Sequence, residues 1–309
     1  MCRPFGVWPG VRPVSPVQDD GVWVRAMPAV FVVIWSTGFI VARYGMPHAP
    51  PFSFLAVRFA LSILCFLPWI WLAGVRWPTG RQQWLHLCAS GVLMHAGYLG
   101  GVWAAVKAGM GSGLSALIVG LQPVLTAIWL SSTGGQVSRR QWQGLALGFA
   151  GLALVVSRKF GQGSPSDHVD LANLTLIVVA LLSMTIGTLY QKRHVAPCDV
   201  RSANVVQLGA ALCVMLPLAL MEAEPMRWGG ELVGAMAWSV LALTLGGSSL
   251  LYLLIQRGAA TAVTSLLYLV PPCTAVMAWL LFDEPITGTT LLGTAMTAFA
   301  VSLVLRPAK

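Results

Sequence analysis

Residues 257 to 285 read RGAATAVTSLLYLVPPCTAVMAWLLFDEP, a cation followed by 25 residues without a charged side chain, a proline pair near the middle and two acids at the end. A helix rises about 1.5 Å per residue, so this run can cross a hydrocarbon layer of roughly 30 Å. Moving back 149 positions finds a second version, KAGMGSGLSALIVGLQPVLTAIWLSSTGGQ, at residues 107 to 136. Gly109 falls on Gly258, Leu117 on Leu266 and Pro123 on Pro272 without a gap. The same offset pairs Gly38 with Gly187, Pro68 with Pro217, Ser90 with Ser239, Gly144 with Gly293 and Val155 with Val304. One membrane unit is written twice.

With 57% apolar and 9% charged residues and a mean hydropathy of +0.76, the chain lacks the polar surface of a soluble globule, which carries about 25% charged residues. Its 309 residues accommodate ten spans and short connections, leaving no room for a soluble catalytic domain. The net charge of +9 is spread over loops rather than gathered in a patch, which excludes a nucleic-acid surface. Six cysteines form no CxxC pair and lie mostly within apolar runs, as small hydrophobes do.

Residues 1 to 26 are expected to form a flexible N-terminal tail without a signal peptide, and Met27, just ahead of the first span, to be the true start. Ten spans are predicted at 27–44, 52–74, 84–104, 111–132, 141–157, 171–190, 202–221, 231–254, 260–282 and 289–305. They group into a first five-helix unit at 27–157 and a second at 171–305. With the N-terminus inside, one side holds 13 Lys and Arg and the other 5, which places both termini in the cytoplasm. Five spans per unit is an odd number, so the second unit inserts upside down. The predicted fold is an all-α integral membrane protein of ten transmembrane helices in two inverted five-helix repeats, a plan that places a transporter's site near the midplane between the halves. Trp69, Trp71, Trp77, Trp84, Trp103, Trp142 and Trp228 lie at span ends, where an indole suits the headgroup level.

No Asp or Glu lies inside any span beyond Glu231 at the first position of the eighth. Paired carboxylates, a metal cage and a Glu-based proton relay would each need one, and the histidines and cysteines show no ligand spacing. No metal, no cofactor and no enzymatic activity are expected. The fourth span places Ser112, Ser115, Gln122 and Thr126 on one helix face, which the offset maps onto Thr261, Thr264, Pro271 and Ala275, with Tyr268 matching Val119. Such a stripe is either a cavity wall or helix-to-helix glue. Gln122 and Tyr268 favour the cavity, because their larger polar groups need a partner.

In the third span His95 and Tyr98 sit a turn apart, either to bind substrate or to pack. In the first span Trp35, Ser36 and Arg43 correspond to Met184, Thr185 and Lys192 of the sixth. Arg58 is the one basic residue well inside a span, and its copy is the neutral Gln207. Locking helices together and capturing an anion are both open to it. Gly109, Gly111, Gly113, Pro123, Pro271 and Pro272 are expected to bend or tightly pack the fourth and ninth spans.

These residues resemble the drug/metabolite transporter superfamily, specifically its EamA-type ten-helix members. The resemblance rests on WSTGFIVARYG at 35–45, FLAVRF at 54–59, AGMGSGLSALIVGLQP at 108–123, QWQGLALGFAGLALVV at 141–156 and SLLYLVPPCTAVMAWLLFDEP at 265–285, and covers residues 27 to 305. It implies a central cavity lined by the first, third, fourth, sixth, eighth and ninth helices, and export of amino acids, other metabolites or toxic small molecules. The family's acidic residue after the ninth span corresponds to Glu284, whereas the matching place in the first half holds Gly135. The first-span Glu that short multidrug-resistance relatives use for proton coupling is absent here. The expected function is transport, in the export direction, of a small metabolite such as an amino acid by alternating access at the inner membrane. The alternative is a non-transporting scaffold or regulatory subunit. The expected substrate-binding residues are Trp35, Ser36, His95, Tyr98, Ser115, Gln122, Thr185, Thr264 and Tyr268, and the lack of carboxylates favours neutral, zwitterionic or anionic ligands. Expected partners are a small-molecule substrate and membrane lipid, without nucleic acid, and with a homodimer left open.

Overall fold

The computed structural model describes residues 22–132, 139–159, 163–164, 167–250 and 269–305. In chain order the helices are α1 (Val22–Gly45), α2 (Pro51–Leu72), α3 (Arg81–Gly91), α4 (Tyr98–Lys107), α5 (Ser112–Val119), α6 (Gln122–Ser132), α7 (Arg139–Lys159), α8 (Leu171–His194), α9 (Val200–Leu220), α10 (Gly230–Trp238), α11 (Val270–Phe282) and α12 (Gly288–Leu305). A π-helical segment, π1 (Val92–Gly97), joins α3 to α4, and a second, π2 (Ser239–Gly247), continues α10. A two-residue pair, β1 (Gly163–Ser164) with β2 (Asp167–His168), is the described extended structure, lying between α7 and α8.

Helix ends follow local chemistry. Pro51 opens α2, where a missing N–H costs nothing because the first turn has no intrahelical acceptor for it. Asp170 and Asn173 form a reciprocal capping box at the start of α8, and Asp199 caps α9. Pro271 and Pro272 fall in the first turn of α11, where a missing N–H is tolerated. At the other end of α11, Asp283 takes a left-handed conformation (φ 53°) and Pro285 forbids continuation. The fourth span is two helices, α5 and α6, parted at Gly120 and Leu121. Gly120 is needed there because a β-carbon would come within 3.0 Å of Pro271 Cγ.

Among the described residues six helices are long and apolar enough to cross a membrane, and shorter apolar helices cover 112–126, 142–157 and 270–282. The chain is a multi-pass membrane protein. Leu64, Trp71, Leu220, Leu291 and Phe299 are exposed, as lipid-facing side chains are. Between helices the approach is close. A β-carbon at Gly91 would lie 2.4 Å from the Gln207 carbonyl oxygen, and one at Gly101 2.7 Å from that of Leu176. Small residues at such crossings let backbones meet, since lipid offers no hydrophobic drive to association. In the α7–α12 pair, Gly148 faces Ala300 while Gly151 faces Gly293 and Thr297, so the numbers run in opposite senses and the helices are antiparallel.

One expectation is overturned. Trp103 is not a headgroup anchor; it is 1% exposed, stacks on Phe54 with ring centroids 4.4 Å apart and lies under the Arg58 guanidinium. A position late in a span marks the interface only if the side chain points outward, and this one points into the bundle.

Candidate functional site

Polar side chains meet in the middle of the bundle where π1 and π2 face α2 and α9. A π segment adds a residue per turn, breaks the regular side-chain register and recurs at functional sites. Here π1 carries His95 and delivers Tyr98 at the start of α4, while π2 carries Thr244. The His95 ring meets Phe59 edge-on at 6.1 Å, with Arg58 and Gln207 nearby. Gln207 also donates to Ser90 Oγ at 3.0 Å and to Gln191 Oε1 at 3.2 Å. Across the cluster the buried Arg58 donates to Thr244 Oγ1 from Nε at 3.4 Å and from a terminal nitrogen at 3.2 Å. Its guanidinium carbon stands 6.0 Å from the centre of the Trp103 ring, and Tyr98 lies within electrostatic range. His95 and Thr244 are half-buried, and both contact other helices at mid-span.

The structure thus brings His95 and Tyr98 together with Arg58. Gln122 finds a partner elsewhere, donating to Thr188 Oγ1 of α8 at 3.0 Å. Trp35 is half-buried against Phe31, ring centroids 5.3 Å apart, and beside Gly247 of π2. Ser36, Ser115 and Thr185 are buried, and each hydroxyl donates to a carbonyl four residues back, on Val32, Gly111 and Leu181. Thr261, Thr264 and Tyr268 lie outside the described residues.

Arg58, Gln207 and Thr244 belong to the central cluster although the set expected from sequence omits them. The signal was present: a lone cation inside a span and a glutamine at the position 149 residues on.

A second polar system lies where α1 ends and α2, α5, α8, α10 and α12 begin. Glu284 accepts from the backbone N–H groups of Ser112 at 2.9 Å and Gly113 at 3.3 Å, with Arg43 at 3.9 Å. Glu222 does the same for α2, accepting from Phe52 N at 3.0 Å, Ser53 N at 2.7 Å and the Ser53 hydroxyl at 2.8 Å. A carboxylate suits the exposed N–H groups and the positive pole of a helix start. Lys107 pairs with Glu224 at 2.7 Å, and His48 with Glu231 at 2.5 Å. At the opposite ends of the helices, Gln83 bonds the backbone of Ala196, and His86 bonds the Tyr190 hydroxyl at 2.8 Å.

Apolar helices in close antiparallel contact, capped at their ends and holding at mid-span a cation with no carboxylate partner among the described residues, define a polytopic membrane protein with a polar interior. The profile of the EamA-like transporter family matches residues 26–157 and 171–306, and the chain belongs to that family. Membership assigns it membrane transport. It is 26% identical over 275 residues to the uncharacterized inner membrane transporter YedA of Escherichia coli (strain K12), covering 88% of this chain and 87% of that one. An uncharacterized transporter of Archaeoglobus fulgidus is 26% identical over 281 residues, or 89% and 94% of the two chains. A protein of E. coli K12 named a probable amino-acid metabolite efflux pump is 22% identical over 290 residues, or 90% and 92%. A solved crystal structure shares the fold, with a TM-score of 0.61 at 16% identity over 90% of this chain and 96% of that one.

Proposed function

We propose that the chain carries a small metabolite, an amino acid or a related compound, outward across the inner membrane by alternating access. Ten spans form two five-helix halves of opposite orientation, residues 27–157 and 171–305, with both termini cytoplasmic. Relatives named inner membrane transporter and amino-acid metabolite efflux pump support the compartment, the direction and the substrate class.

The inverted symmetry draws support from contacts that exchange partners under the 149-residue offset. Gly38 packs on Leu243, and Gly187 on Met94. Gly148 packs on Ala300, and Gly151 on Thr297. Arg58 bonds Thr244, and Gln207 reaches His95. In each case adding 149 to one partner and subtracting it from the other turns the first contact into the second, as a two-fold axis between the halves requires.

The observation that carries the site is the matched pair of π segments aiming His95 and Thr244 at Gln207 and Arg58 in the middle of the bundle. A substrate enters between the halves, is held by these polar groups and by Tyr98, Gln122 and Trp35, and leaves when the halves rock the other way. Flux of the twenty amino acids in proteoliposomes, with and without a proton gradient, tests this. At least one should move, and His95→Ala, Tyr98→Phe or Gln122→Ala should cut its flux about tenfold or more in folded protein. Flux unchanged by all three replacements sinks the site, and no flux from an intact, correctly inserted protein sinks the transport reading.

A further inference from the structure

Among the described residues two charged side chains are buried, Arg58 at mid-span and Glu284 at a helix end, where its carboxylate is already taken by the start of α5. Arg58 is 6% exposed on α2, and a guanidinium presents five N–H donors in a planar fork. Two of them share the Thr244 hydroxyl. The rest meet no protein acceptor among the described residues, and no carboxylate comes within ion-pair distance of it there. Of the ten apolar runs only 231–254 holds an acid, Glu231 at its first residue, where it pairs with His48 at the rim. A cation held in this way is costly unless an anion joins it.

The surroundings suit a small planar anion. Trp103 lies against one side of the guanidinium, leaving the N–H fork as the charged edge. Thr244 accepts from the guanidinium and donates its own proton to the Ser239 carbonyl at 2.9 Å, which holds the fork in place. Two buried hydroxyls on the same elements, Ser62 one turn along α2 and Ser239 at the start of π2, have no hydrogen-bond partner. Under the 149-residue offset, Ser239 and Arg58 correspond to Ser90 and Gln207, a pair that is bonded at 3.0 Å.

We infer that Arg58 is the docking group for the carboxylate of the transported molecule, taken in two-pronged fashion by the guanidinium fork that Thr244 holds in place. The inference rests on the transport reading and deepens it, because it says which part of the ligand is read by charge. A carboxylate finds a fixed partner, while an ammonium group finds only neutral acceptors. The class of ligand is therefore a small carboxylic acid for which an amine is optional. N-acylated amino acids should be taken as well as free ones, and carboxyl esters should be refused.

The test uses purified full-length protein with three sets of probes: the twenty amino acids, their N-acetyl derivatives and their methyl esters. Thermal stabilisation in detergent and counterflow in proteoliposomes are both read. At least one free acid and its N-acetyl form should bind and move, and the matching methyl ester should do neither. Arg58→Gln should raise the half-saturating concentration of the acids about tenfold or more, and Arg58→Lys should give an intermediate value. The ligand-free Arg58→Gln protein should melt no lower than the parent, since it loses an uncompensated charge.

An ester that binds as well as its acid overturns the inference, as does an Arg58→Gln protein with unchanged response. A variant that melts lower yet keeps its affinity marks Arg58 as a helix lock. If Arg58→Gln does not fold, unchanged acid affinity in folded Arg58→Lys overturns the inference equally. Stabilisation by sodium chloride alone, dependent on Arg58 and without response to any acid, marks an inorganic anion site and also overturns it. Esters that move as fast as acids sink this inference and leave transport standing. Acids that bind through Arg58 without moving sink transport and leave the docking role.

Discussion

Ser36, Ser115 and Thr185 each return their hydroxyl to a carbonyl one turn back in their own helix, a habit that sequence cannot distinguish from ligand binding. A hydroxyl inside a helix has an acceptor within reach on the preceding turn, and these three take it. Larger polar groups reach farther, and Gln122 and Arg58 bridge to other helices, whereas a short side chain does so only where helices are in close contact, as Thr274 does to the Ser36 carbonyl. At the rim of the bundle, Asp199 shows what a charge does when its partner is present. The Arg201 guanidinium hydrogen-bonded to it holds its carboxyl below the usual carboxylate value. Such a group adds stability at any pH above the ordinary value of about 3.9, and the gain is lost as the pH falls through the lower folded value. The difference in melting temperature between the parent and Asp199→Asn should therefore hold steady from about pH 5 to 7 and shrink below about pH 4. A difference that grows on acidification would contradict the pairing.

At the scale of elements, pattern located the helices and missed their interruptions. Where the chain is described, the apolar runs fall on helices to within a few residues, except that α1 begins at Val22, ahead of the expected 27, and residues 251–268 lie outside the described part. The π segments were not legible, because 3.6-residue and wider turns bury the same apolar residues, and their presence depends on what the neighbouring helix demands. The glycines were legible as small but not as to whom they face. Gly151 is where α7 and α12 touch, and a β-carbon there would lie 2.9 Å from both the Gly293 oxygen and Met296 Cβ. Gly151→Val should lower stability by about 1–3 kcal/mol, measured by thermal unfolding in detergent. Gly234→Val, where an added carbon meets nothing within 4 Å, is the control. Equal losses in the two variants would show that the antiparallel contact is not what holds the pair.

For the whole molecule the decisive question is which side each helix end reaches. Glu284 meets the start of α5, and Glu222 the start of α2, so residues far apart in the chain share one face of the bundle. Arg139 begins α7, which ends near that face, and therefore belongs to the other. In a background with the native cysteines removed, Arg139→Cys and Asp283→Cys should label from opposite sides of the membrane with a reagent that does not cross it. Labelling from the same side would end the inverted arrangement and the rocking mechanism with it.

The sequence alone determined that this is a bilayer protein, where its helices run, and that its two halves are copies, because hydropathy and self-similarity are read along a single strand of residues. The family and the lone interior cation were legible for the same reason. Only the tertiary structure decided that His95, Arg58, Gln207 and Thr244 form one cluster, that Trp103 turns inward, and that Glu284 caps a helix 172 residues away. Those facts depend on which segments touch, and contact between segments is set by how faces of different helices fit together, which no single segment encodes.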